Sequence, residues 1–316
     1  MKKYLLFLLL VLFACQPGLR QTQLVDVHTG TSGLELKFFD TNLVDVFESS
    51  YFDMLIELRN HGAANINEGK YVWITEENYV VAEGRTSKGV FDLQGRTPYD
   101  PSGGFSVVES RMTAKLLPQL IKGYDTPVIF LACYPYKTNA TVHVCIDTDI
   151  QQANPRKVCK PDTINLRGGQ GAPVAIESVE QIFSRDQATG KIRPTFVINM
   201  RNLGNGHVVD SSLLDVACGS QGGLSLLRGT SVTGEIGSAG FNKVSVSASL
   251  PSGDLDCGVN PAILLEKGKD AAIICRVNDN ALLDVSAGTF TSLLSIKINY
   301  GYVTSKSFML TIKKFI

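Results

Sequence analysis

The sequence predicts an all-β chain of two similar antiparallel domains in tandem, each a sandwich or barrel. Three observations predict this. Apolar residues recur at every second position, Gly/Pro/Asn/Asp clusters punctuate the runs, and a long segment occurs twice. Leu34, Leu36 and Phe38 alternate with polar residues in GLELKFFD. Met54, Ile56 and Leu58 follow in MLIELRN, and Tyr71 and Trp73 frame KYVWIT. Phe196, Ile198 and Met200 alternate in TFVINMRN, as do Val244, Val246, Ala248 and Leu250 in KVSVSASL. Leu294, Ile296 and Ile298, then Phe308, Leu310 and Ile312, close the chain in the same manner. A period of two places one strand face in a core and the other in water. The clusters NHGAAN, DPSGG, NLGNG, LPSGD and EKGKD read as turns. The best helix candidate is short, over 114–121.

The repeat sets the domain organisation. Thr126–Ile146 matches Ser292–Ile312 at a shift of 166 (300 − 134), which lays Tyr134-Pro135-Tyr136 on Tyr300-Gly301-Tyr302. Each copy reads as two strands joined by a turn after Tyr-x-Tyr, the last hairpin of a domain. A second pair, MLIELRNHG (54–62) and FVINMRNLG (196–204), precedes it. The Gly-rich piece Arg167–Gly171 matches no phosphate-binding loop and reads as the linker. The expected layout is a signal peptide over 1–14, a tether over 15–29, and domains over 30–165 and 166–316.

The 316 residues suffice for about two domains, and 44% of them are hydrophobic. Thirty basic residues balance thirty acidic ones, which argues against both disorder and nucleic-acid binding. No apolar run reaches about 18 residues, so a polytopic membrane protein is excluded. Lys2 and Lys3 precede an apolar run from Tyr4 to Ala14, the form of a secretory signal. Leu12-Phe13-Ala14-Cys15 resembles the lipobox of prokaryotic lipoproteins. That resemblance implies cleavage before Cys15, a diacylglyceryl group on its thiol, and a membrane as a partner through this anchor.

With Cys15 set aside, six of the seven cysteines remain for three disulfides in an oxidising exterior. Cys257 and Cys275 flank a turn near Glu266 and form the best-supported pair. Cys145–Cys159, closing a polar loop, ranks above Cys133–Cys145 across the expected hairpin. In the first case Cys133 and Cys218 are left to join the domains or to stay as small buried thiols. Asn139-Ala140-Thr141 has the form of a glycosylation acceptor at Asn139.

No catalytic or metal-binding pattern stands out, and no cofactor is expected. The histidines His28, His61, His143 and His207 show no ligand spacing. Asp147 and Asp149 lack the rest of a calcium loop and read as a surface pair. Tyr134, Tyr136, Tyr300 and Tyr302 are candidates for a ligand platform, since tyrosine rows can stack on sugars; cross-strand packing is the competing reading.

The markers Leu58-Arg59-Asn60-His61-Gly62 and Met200-Arg201-Asn202-Leu203-Gly204 resemble a motif of the immunoglobulin-like, cell-adhesion-related (CARDB-like) domains of prokaryotic surface proteins. The stretches at 168–180 and 133–147 are similar to segments of archaeal surface proteins. The resemblance implies two tandem immunoglobulin-like antiparallel β-sandwiches. It also implies a non-enzymatic protein, exported and held at the cell surface, that binds another surface protein or a glycan or acts as a structural element. The alternatives are a glycan- or polymer-binding module, with loops over 76–101 as part of its platform, and a subunit of an extracellular fibre.

Overall fold

The computed structural model describes residues 26–151, 156–219, 242–258, 263–264 and 270–315. The signal segment, Cys15, the tether up to residue 25 and the turn near Glu266 lie outside the described residues.

Period-two patterning becomes strands almost wherever it occurs. In chain order these are β1 (Leu34–Phe38), β2 (Asp45–Phe47), β3 (Tyr51–Asn60), β4 (Ile66–Ile74), β5 (Val80–Ala82) and β6 (Lys88–Leu93). Then come β7 (Phe105–Ala114), β8 (Gly123–Asp147), β9 (Ile164–Asn165), β10 (Val174–Arg185), β11 (Ile192–Asn202) and β12 (His207–Val209). A single turn of helix, α1 (Leu214–Ala217), precedes β13 (Lys243–Leu250), β14 (Gly253–Asp256), β15 (Ile263–Leu264), β16 (Asp270–Val277) and β17 (Thr289–Lys313). The 76–101 stretch, expected as loops, contains β5, a 3-10 turn and β6. The helix expected over 114–121 is absent. Ala114 closes β7 instead, and Pro118, which lacks an N–H and disfavours helix at the residue before it, sits in the extended connection.

The strands form two open sheets, antiparallel apart from the parallel β2–β17 pair. The smaller has the order β1-β3-β7-β5. The larger runs β6-β4-β8-β17-β13-β14-β16-β11-β10-β9, with β2 and β12 also on β17 and β15 on β13. Alternate residues of β3 (Phe52, Met54, Ile56, Leu58, Asn60) and of β11 (Phe196, Ile198, Met200, Asn202) are buried. The apolar members join one continuous core with Trp73, Phe130, Ile296 and Ile298. Burying each large side chain contributes about 1.5–3 kcal/mol. Among the described residues no helix is long and apolar enough to cross a membrane.

The centre of the fold differs from the expected hairpins. β8 and β17 are each one uninterrupted strand of 25 residues, and they pair with each other antiparallel over their whole length, from Gly123↔Lys313 to Asp147↔Thr289. At about 3.3 Å per residue this ribbon is about 80 Å long. The Tyr-x-Tyr motifs lie at its middle, where Tyr134 faces Tyr302 and Tyr136 faces Tyr300. Pro135 faces Gly301, its own equivalent in the repeat, so a local two-fold axis passes through that pair. No turn forms because the alternation runs through the motif in phase: Phe130, Ala132, Tyr134, Tyr136, Thr138 and Val142 all face inward. Pro135 is tolerated because the β4 pairing ends at Cys133, leaving one hydrogen-bonded neighbour there.

The repeated Asn-x-Gly markers build equivalent corners. Asn60 Nδ2 donates to the Ala64 carbonyl (2.8 Å), while its Oδ1 accepts from the Gly62 N–H (3.1 Å) and the Tyr136 hydroxyl (3.2 Å). Asn202 Nδ2 donates to the Gly206 carbonyl (3.1 Å), and its Oδ1 accepts from the Gly204 N–H (3.2 Å) and the Tyr302 hydroxyl (3.3 Å). A Cβ on Gly62 would fall 1.8 Å from the Tyr136 hydroxyl and 2.8 Å from the Gly171 carbonyl oxygen. Gly62→Ala is therefore expected to expel the tyrosine hydroxyl from its bond to Asn60 and to lower stability by about 3 kcal/mol. Gly204→Ala, whose Cβ would lie 2.2 Å from the Tyr302 hydroxyl, should behave alike. Denaturant titration of both variants checks this; a loss below about 0.5 kcal/mol in either would contradict the corner's role.

Candidate functional site

Six cysteines form three disulfides: Cys133–Cys218, Cys145–Cys159 and Cys257–Cys275. The last follows from register. β14 pairs Leu255 with Val277 and Asp256 with Arg276, so the next position sets Cys257 opposite Cys275. Cys145–Cys159 closes the polar loop after β8. The competing Cys133–Cys145 pair does not form, because both residues lie on the one extended strand β8. Cys133–Cys218 fastens α1 to the middle of β8, where Cys218 Sγ also lies 3.5 Å from the Lys70 carbonyl oxygen. Asn139 is exposed in the middle of β8, opposite Lys297 of β17.

The tyrosine platform is not available to a ligand. Tyr134, Tyr136, Tyr300 and Tyr302 are buried, at most 4% exposed, and their rings pack on one another around the two-fold with centroids 5.5–6.2 Å apart. Their positions fall on the inward side of β8 and β17, so the alternation that makes the core also removes the ring faces from solvent. Each hydroxyl is used internally. The Leu34 N–H donates to Tyr134 (3.1 Å), and the Val174 N–H donates to Tyr300 (3.4 Å). The Gly206 N–H donates to Tyr302 (2.8 Å). Burial pushes all four hydroxyls upward in pKa, that of Tyr302 up to about 12.

Asp147 is also not the surface residue expected. It is buried and bound by Lys157 Nζ (2.6 Å), the Thr289 hydroxyl (3.0 Å) and the Asp149 N–H (3.0 Å). Among the described residues no group of three or more His, Cys, Asp or Glu is placed to hold a metal ion.

The open feature at the centre is a polar cleft of about 470 Å³ beside the tyrosines. Tyr134 and Tyr302, both buried, lie against it. One wall is the segment entering β1, with Thr31, Ser32 and Glu35; the other is the second half of β17, with Thr304, Ser305 and Lys306. Leu203, 41% exposed, supplies a small apolar side, with Pro173 buried behind it. His61, which follows the first corner, reaches in and pairs with Glu35, Nε2 to Oε2 at 2.7 Å. Lys306 is exposed and has no carboxylate partner among the described residues. The other histidines stand elsewhere: His28 before β1, His143 on the exposed face of β8, and His207 at the start of β12.

Sequence reasoning missed this cleft. Its walls come from segments more than 250 positions apart, and no local pattern marks them. The one available signal was the departure of the two repeats from each other, Thr304-Ser305-Lys306 against Thr138-Asn139-Ala140. Compared with known proteins, the chain matches no family description and no curated protein.

Proposed function

We propose that the protein is exported, anchored through a lipid on Cys15, and works at the cell surface by non-catalytic binding, as an adhesion or structural element. In this reading it consists of two immunoglobulin-like sandwiches in tandem, like the CARDB-like surface domains its Asn-x-Gly markers resemble. The observation that carries the proposal is the set of three disulfides. Such bonds form and persist in an oxidising compartment outside the cytoplasm. The long ribbon supports a load-bearing role: its two strands are joined along all 25 residues, so a pull along it meets many backbone hydrogen bonds at once.

Intact-mass and non-reducing peptide mass spectrometry of the native protein tests the proposal. The expected product begins at Cys15, carries diacylglycerol there, and shows Cys133–Cys218, Cys145–Cys159 and Cys257–Cys275 joined. A chain that keeps Met1 and has six free thiols would overturn it.

A further inference from the structure

The two-fold that relates β8 to β17 also relates the two ends of the ribbon, and their surfaces differ. At the end where β8 begins and β17 finishes, β2 lies along the last residues of β17. The connection from β7 to β8 closes over them. Lys314 Nζ donates to the Gln119 carbonyl (3.2 Å), and the Glu48 carboxylate accepts from the Leu117 N–H (2.9 Å) and the Phe315 N–H (3.3 Å). The segments gathered there carry large apolar side chains outward. Leu120 is 98% exposed, Phe315 74% and Leu116 72%. Phe47, half exposed, sets its ring against that of Phe315 with centroids 5.5 Å apart. Leu43 and Met309, both more than half exposed, precede the paired residues Asp45 and Thr311 by two positions on their strands. At the opposite end the shift of 166 sets Ser286 in the place of Leu120, Asp149 in that of Phe315 and His143 in that of Met309. The fold therefore does not require an apolar end, and the first end owes its character to its own residues.

We infer that this end docks on the surface of a lipid bilayer, with its exposed Leu and Phe side chains entering between the headgroups. Exposed apolar side chains gathered at one place mark an interaction surface. These stand on three separate segments, and Leu120 projects almost free of neighbours, which suits entry into a soft layer. Lys115, Lys122, Lys313 and Lys314 stand among them, against Asp45, Glu48 and Asp125. A lysine at such a boundary lays its stem on the apolar layer and keeps its ammonium in the polar one. Charge is nearly balanced here, so the apolar side chains supply the attraction. The reach of the tether fits as well. Residues 26–30 pack beside the Gly62 corner at the middle of the ribbon, where the Gly171 N–H donates to the Gly30 carbonyl and the Ala63 N–H to that of Gly171. The span 15–25 covers at most about 40 Å when extended. Half of the ribbon is also about 40 Å. An anchor on Cys15 and this end of the ribbon can thus meet one membrane surface together.

The inference rests on the export proposed above and adds a direct membrane contact to the anchor. The test is flotation with vesicles of phosphatidylcholine and phosphatidylglycerol in equal parts. It uses the disulfide-bonded chain from residue 15 onward with Cys15→Ser, so that no attached lipid contributes. The chain is expected to float with the vesicles. Raising the salt to about 0.5 M should weaken its partition by less than about threefold, because salt screens charge and not apolar insertion. Leu116→Ser combined with Leu120→Ser, and separately Phe315→Ser, are each expected to weaken the partition by about tenfold or more. All three side chains are exposed, and an unchanged thermal transition shows that the fold survives. Absence of flotation, flotation indifferent to both variants, or flotation abolished by salt would overturn the inference. So would a dimer in sedimentation velocity that the double leucine variant dissociates, since the surface would then belong to a second copy. The assay needs no anchor, so its failure leaves the lipid on Cys15 standing, and a missing lipid in the native protein leaves the flotation result standing.

Discussion

Raising the pH above 10 is expected to unfold the protein steeply. Tyr134, Tyr136, Tyr300 and Tyr302 sit at the two-fold, and burial raises each hydroxyl's pKa in the folded state, that of Tyr302 up to about 12. In the unfolded chain each would ionise near 10. Below that value both states hold the proton and tyrosine titration does not change stability. Above it the unfolded state releases protons that the folded state keeps, so stability is lost as pH rises toward the folded pKa values. Each tyrosine contributes a slope of about 1.4 kcal/mol per pH unit. By about pH 11 the four together remove roughly 5 kcal/mol, comparable with the whole stability of many domains. Denaturant midpoints measured across this range, with phenolate absorbance followed in parallel, check the expectation. The tyrosines should ionise with unfolding, not before it. A Tyr134→Phe, Tyr300→Phe double variant should show about half the slope; an unaltered slope would assign the alkaline transition to other groups.

The second large effect is expected from the bridge between β8 and α1. Cys133 and Cys218 are 85 positions apart, the longest loop closed by any of the three disulfides; the others span 14 and 18. In the chain-entropy account, a cross-link stabilises by reducing the freedom of the unfolded chain, more for longer loops. The values come to about 4.5 kcal/mol for this bridge and about 3 kcal/mol for each of the others. Replacing both residues by serine should thus cost more than removing either other pair. It should also free α1 from the outer face of β8, where Val209, Ala217 and Val303 form a small separate cluster with Leu131. Unfolding titrations of the three double variants give the ranking. Finding the Cys133/Cys218 variant the least affected would contradict it.

Strands were legible wherever alternation was clean, because one-sided burial is a local property of the sequence. The Cys257–Cys275 pair was legible for a related reason: its two positions are equidistant from residue 266, the antiparallel relation that the β14–β16 register keeps. Cys133–Cys218 emerged only by elimination, since neither residue carries a local sign of the other. The partner of β8 was not legible at all. The Tyr134-Pro135-Tyr136 motif reads as leading into a turn, and the expectation of a hairpin followed from it. The contrary clue was present, in that Phe130, Tyr134, Tyr136, Val142 and Val144 never change phase across the motif. A turn between them would have been needed only if the chain had to reverse. What it does instead depends on a segment 166 positions later, a long-range choice that no window of residues encodes. The same distance hid the cleft, and it exposed the tyrosine platform to error: residue type suggested a ligand, while position on the strand decided burial.

The ribbon ties the two halves in a manner that a linker cannot undo. A cut between residues 165 and 166 would leave each fragment with a long solitary edge, ready to recruit a copy of itself. In each fragment the missing mate would be supplied in the same antiparallel sense about the same axis. The intact polypeptide is thus organised as a homodimer fused into a single molecule, whose self-recognition is satisfied internally at an effective concentration no separate subunits reach. With both copies in one chain, the two related surfaces are free to differ, as Thr304-Ser305-Lys306 differs from Thr138-Asn139-Ala140.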